Sequence, residues 1–106
     1  MERKFPEWYD KIREEHREYL DAVENLGEMT RKAGPLDEKT SHLIQLAAAA
    51  AIRSEGSVHS HARRAMKAGA SKEEINHTLL LLTSTIGFPT VAAALSWVHD
   101  STDAKK

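Results

Sequence analysis

The sequence predicts an all-α chain of about five helices, and three observations carry that prediction. Apolar residues recur at helical spacing through the long segments, capping residues mark where those segments start, and glycine or proline marks where they stop. The five consecutive alanines from Ala47 to Ala51 add the strongest helix formers in the middle of the chain. At 106 residues the length suits a single domain with one modest core.

The first segment, within residues 1–34, reads as one N-terminal helix. Pro6 suits its first turn, and Trp8, Ile12, Tyr19, Val23 and Leu26 form an apolar stripe. Lys11, Arg13, Glu14, Glu15, Arg17, Glu18 and Asp21 cover the opposite face, which is a solvated surface. His16 reads as an edge-of-core or surface histidine with no role. Lys32-Ala33-Gly34-Pro35 ends the segment, because glycine suits a helix C-terminus and proline cannot continue one.

Asp37 or Thr40 caps a second helix, SHLIQLAAAAAIR, which runs to about Arg53. Its alanines allow neighbouring backbones to approach closely, so it is expected at the centre. His42 shares a stripe with Gln45, Leu46, Ala49 and Arg53, and taken alone it reads as a boundary histidine. Glu55-Gly56 reads as a break, with Ser57 capping the helix VHSHARRAMKA that stops at Gly69. Ser57, His61, Arg64 and Ala65 share one face of it, while His59 and Arg63 point elsewhere; only one of the two histidines is expected to face the core.

Ser71-Lys72-Glu73-Glu74 is a capping box that opens a helix from Lys72 to about Ile86. It carries His77 one turn from Glu73 and from Leu81, and the run Leu79 to Leu82 is expected to be buried. Gly87-Phe88-Pro89 is a sharp turn, and the last helix, TVAAALSWVHDS, has Val91, Ala94, Leu95 and Val98 as its inner stripe. Asp100 to Lys106 reads as a frayed polar tail.

Composition excludes several classes of function. With no cysteine in the sequence there is no disulfide, thiolate metal site or thiol nucleophile. A formal net charge of -1 with 29% charged residues provides no overall field for nucleic acid or an acidic membrane. The stretch HARRAMKAGASKEEINHTLL has the outline of a helix-turn-helix, but its second helix has too little basic character to read a groove, so no nucleic-acid partner is expected. MERKFPEWYD lacks the apolar core of a secretory signal and no 18-residue apolar run exists, so a cytoplasmic protein without a membrane partner is expected.

The run KTSHLIQLAAAAAIRSEGSVHSHARRAMKAGASKEEINHTLLLLTSTIGFPTVAAAL resembles the carboxymuconolactone decarboxylase domain, which includes the alkylhydroperoxidase AhpD-like proteins. The resemblance covers about residues 36–98 as a family core, and its most specific pieces are HARRAMKAGASKEEI and the later GFP turn. It implies an all-α subunit that assembles into trimers or hexamers. In the peroxidase branch, the family pattern is Cys-x-x-Cys followed four residues later by a histidine, with a glutamate on the preceding helix. Aligned on His61, the two cysteine positions hold Ser54 and Ser57, the glutamate position holds His42, and a second glutamate position holds His77.

That substitution decides much of the chemistry. A peroxidase cycle needs a thiolate that becomes a sulfenic acid and a second thiol that resolves it, and a hydroxyl does neither. Dithiol peroxidase activity is therefore not expected. The decarboxylase branch also lacks the cysteine pair and implies proton transfer, for which His61 is the candidate acid or base. Ser54 and Ser57 are then the hydrogen-bond donors to a small acid, with Arg53 or Arg64 as its ion-pair partner and His42 and His77 lining the pocket. Two alternatives stand beside this reading. In one, His42, His61 and His77 converge as three imidazoles around a divalent metal such as zinc, with no other cofactor expected. In the other, the serines are caps, the histidines are satisfied by backbone carbonyls, and the chain is an inactive homo-oligomeric family member.

Overall fold

The computed structural model describes residues 6–103, and among them it contains seven helices and no strand. These are α1 (Pro6–Glu15), α2 (Arg17–Lys32), α3 (Glu38–Ala51), α4 (Glu55–Lys67), α5 (Lys72–Leu80), α6 (Thr83–Ile86) and α7 (Phe88–Asp103). The chain divides after Pro35 into two compact units, the first holding α1 and α2 and the second the rest. None of the helices among the described residues is long and apolar enough to cross a membrane.

The first unit is a pair of helices where one was expected. At His16 the backbone leaves the helical region, with φ -139 and ψ 59, and α1 folds back along α2. The Tyr9 hydroxyl donates to the Glu24 carboxylate, and Arg13 donates to the same carboxylate and pairs with Asp21 at 3.8 Å. In one straight helix, residues 9 and 24 would lie about 22 Å apart along the axis, so these contacts require the reversal. The apolar stripe spans the break and its two halves no longer share a face. Trp8, Tyr19, Val23 and Leu26 are consequently exposed, while Leu20, outside that stripe, is buried. His16 itself is exposed.

In the second unit α3, α4, α5 and α7 each pack against the other three. Their shared core is Leu46, Ala49, Ala50, Val58, Ala62, Ala65, Ala70, Ile75, Leu79, Ala94 and Val98. More than half of these side chains are alanine, which lets the four axes close up around a few large residues. The Ala47–Ala51 run thus contributes through Ala49 and Ala50, while Ala48 and Ala51 face outward.

Two helix ends are closed by the same device. After α4, Gly69 at φ 106 donates its N–H to the Met66 carbonyl and Ala70 donates to the Ala65 carbonyl, a Schellman closure around a left-handed glycine. After α3, Arg53 occupies the equivalent position at φ 58, with Arg53 N–H on the Ala50 carbonyl and Ser54 N–H on the Ala49 carbonyl. Arginine resists this conformation, and its guanidinium is held by a 2.8 Å hydrogen bond to the Thr90 hydroxyl.

Three further boundaries differ from expectation. Glu55-Gly56 forms the first turn of α4, with Ser54 at the N-cap position instead of Ser57, because the closure of α3 already delivers the chain to Ser54 in extended geometry. The helix opened by Ser71 stops at Leu80, where the Thr83 hydroxyl takes the Leu80 carbonyl and Leu82 N–H turns to Leu79; α6 then restarts separately. Of the four leucines only Leu79 is fully buried, and Leu80 and Leu81 are exposed. Finally, α7 continues to Asp103 with Ser101 and Thr102 buried, so the expected fraying at Asp100 does not occur there. Residues 104–106 of the expected tail, like residues 1–5, lie outside the described residues.

Candidate functional site

The short link between α3 and α4 sets the register of the site. Ala49 accepts from Ser54 across that link, and the two helices leave it side by side in opposite directions. His42 lies seven residues before Ala49 and His61 seven residues after Ser54, so both stand about 10 Å from the link and level with each other. The rings meet: His42 Nδ1 is 3.2 Å from His61 Nδ1, with centroids 5.4 Å apart and planes at 37°. His42 is 2% exposed, whereas His61 is half-buried.

A third group completes the line. Glu38, one turn before His42 on α3, places Oε2 3.3 Å from His42 Nε2. A carboxylate accepts only, so in the neutral pair His42 carries its proton on Nε2 and donates it to Glu38. His42 Nδ1 is then the acceptor, and His61 must donate from its own Nδ1. That leaves the His61 lone pair on Nε2. When the pair takes up one proton, His42 becomes the donor on both sides and the positive charge sits beside the Glu38 carboxylate. The arrangement therefore moves a proton at His61 while placing the resulting charge next to an anion.

Ser54, Ser57 and His61 follow at intervals of three and four residues, so they share one face of α4. All three are half-buried. Neither serine hydroxyl makes a hydrogen bond among the described residues: Ser54 is the N-cap residue without a side-chain cap bond. On α3, Gln45 stands one turn from His42, and its Oε1 is buried with no hydrogen-bond partner among the described residues. Arg53 is exposed and committed to Thr90.

The fifth expected site residue lies apart. His77 is exposed on α5, and neither a hydrogen bond nor a ring contact joins it to His42 or His61. Among the described residues the three imidazoles are therefore not brought into contact: α5 turns this residue outward because Ile75 and Leu79 take the buried positions. Among the described residues there is no group of three or more His, Cys, Asp or Glu placed to hold a metal ion.

His59 also departs from the expectation that only one of the two α4 histidines faces the core. Both histidines of the His59-Ser60-His61 run are at least half-buried, and His59, at 4% exposure, is the deeper one. Glu38 and Gln45 were readable as helical neighbours of His42. The sequence held no signal for which of them contacts it.

Comparison with known proteins agrees with this architecture. The model of the carboxymuconolactone decarboxylase family matches residues 17–100. The crystal structure of a carboxymuconolactone decarboxylase family protein from Legionella pneumophila is similar with a TM-score of 0.80 and 28% sequence identity. The similarity covers 95% of this chain and 90% of that one. No curated protein matches the sequence significantly.

Proposed function

Because the chain belongs to the carboxymuconolactone decarboxylase family, we propose that it is a thiol-independent member that binds a small organic acid and moves a proton on it. The observation that carries this reading is the line of contacts Glu38, His42, His61, with 3.3 Å and 3.2 Å between its polar atoms. His61 is the proton carrier, His42 is its hydrogen-bonded partner, and Glu38 fixes the tautomer of His42. The Ser54 and Ser57 hydroxyls are donors for a carboxylate, and the buried Gln45 Oε1 is an acceptor for a hydroxyl or N–H of the same ligand. His77 takes no part in this reading.

Three measurements test it. With an alkyl hydroperoxide and a dithiol reductant the protein should turn over no faster than a blank, since no sulfur can form the sulfenic acid; robust turnover would contradict the reading. Titration with carboxymuconolactone, the acid in the family's name, should shift the imidazole signals of His42 and His61, and His61→Ala should abolish any turnover of it while the helical signal persists. Unmoved imidazole signals, or turnover retained in His61→Ala, would overturn the assignment.

The same reading includes a homo-oligomer, a trimer or hexamer. It is supported by the large apolar side chains left exposed in each unit: Trp8, Tyr19 and Leu26 in the first, Ile44, Ile52, Leu81 and Phe88 in the second.

A further inference from the structure

We propose that Ser101 is a base-activated nucleophile, the reacting member of a second site formed with His59 and Glu55, which accepts a short acyl group from an ester. The observation is independent of the His42–His61 pair. His59 on α4 has a carboxylate on one ring nitrogen and a hydroxyl on the other: Glu55 Oε2 lies 3.3 Å from Nε2, and Ser101 Oγ on α7 is hydrogen-bonded to Nδ1.

The direction of these bonds follows from the inventory of protons. Glu55 as a carboxylate only accepts, so Nε2 of neutral His59 carries the hydrogen. Nδ1 then holds the lone pair, and the Ser101 hydroxyl is the donor to it. This is the protonation pattern of a serine poised to lose its proton to an imidazole that a carboxylate orients.

Ser101 is also unlike five other helical hydroxyls. Thr30, Thr78, Thr83, Ser96 and Thr102 each donate to a backbone carbonyl three or four residues back, at 2.7–2.9 Å. Ser101 has the same option at the Trp97 carbonyl, and that contact is 3.3 Å. Its proton is directed to His59 instead. The imidazole is 4% exposed and the serine 7%, so the pair is largely screened from water, and the smallest acyl donor is the fitting probe.

The step balances without an oxidant or cofactor. Ser101 Oγ bonds to the ester carbonyl carbon while its proton passes to His59 Nδ1, and the imidazolium is held against Glu55. Collapse of the tetrahedral adduct breaks the ester C–O bond, and the departing oxygen takes the proton back from Nδ1. Water repeats the sequence on the acyl-serine, so ester and water become acid and alcohol.

p-Nitrophenyl acetate is the probe, read by peptide mapping. Acetylation at Ser101 is expected, absent in His59→Gln and slowed at least about 10-fold in Glu55→Gln. Acetyl groups found only on amines, or a Ser101 rate indifferent to His59→Gln, would overturn the proposal. Should those variants unfold, Ser101→Cys provides a second readout. It creates the only thiol in the chain, and its alkylation by iodoacetamide should follow a pH profile displaced below that of an ordinary thiol, about 8.5. An ordinary profile would exclude His59 as a base acting on position 101.

Discussion

His42 and His59 are built alike. Each is buried, and each has a glutamate four residues earlier whose carboxylate sits 3.3 Å from Nε2. The carboxylate fixes where the imidazole proton lies, so the opposite nitrogen addresses whatever the fold brings to it, an imidazole at His42 and a hydroxyl at His59. For His42 this gives a direct prediction. Long-range 15N–1H spectra should show neutral His42 protonated on Nε2 and His61 on Nδ1, and Glu38→Ala should move part of the His42 population to the other tautomer. An unchanged tautomer in that variant would remove Glu38 from its positioning role. At the core, Leu46 is completely buried, so Leu46→Ala should cost about 2–5 kcal/mol in denaturant unfolding.

At the scale of elements, helix ends decide how the α3–α4 hairpin is made. Arg53 holds a left-handed conformation that costs an L-residue about 1–2 kcal/mol, and its bond to Thr90 offsets part of that. In a Thr90→Ala background, where the offset is gone, Arg53→Gly should therefore raise stability by about 1 kcal/mol in thermal unfolding. The start of α5 should respond in the opposite sense. Its capping box is complete, with Glu74 N–H on Ser71 Oγ at 3.0 Å and Ser71 N–H on Glu74 Oε1 at 2.9 Å, and Ser71→Ala should destabilise by about 1 kcal/mol.

The same caps set a pH dependence. The Ser71 N–H and then Lys39 hold the Glu74 carboxyl below its ordinary value, and the hydrogen bonds from Thr40 do the same for Asp37. Both groups lose a proton more readily in the folded chain than in the unfolded one. Their contribution is complete above the unfolded carboxylate range of about 4 and fades as pH falls through the lower folded values. Glu74→Gln and Asp37→Asn should accordingly flatten the acid limb of a stability-against-pH curve while leaving its neutral limb parallel to the parent.

For the molecule as a whole, the second unit fills its core largely with alanine while large apolar side chains stay outside. Burial between copies is the economical use of that surface, and light scattering should give three or six times the 11.8 kDa subunit mass. A monomer at micromolar concentration would refute the assembly.

Helix class and most capping were legible because they are local: a capping box, a glycine closure or an alanine run acts within a few residues of itself. Legibility failed where a distant group intervened. The Glu24 carboxylate draws α1 back at His16, and Thr90 supports a left-handed Arg53 that no sequence rule favours.

The site divides along the same line. The absence of cysteine, the serines one helical turn apart and the histidine one turn beyond them are facts of the sequence, and they leave no thiol among these 106 residues. Which histidine meets which was decided only by tertiary packing. The α3–α4 link sets His42 level with His61, the apolar positions of α5 turn His77 outward, and the last turn of α7 brings Ser101 to His59. Helical periodicity fixes the face a side chain occupies on its own element, while the meeting of two faces depends on the register between elements, which is set by contacts far apart in the chain.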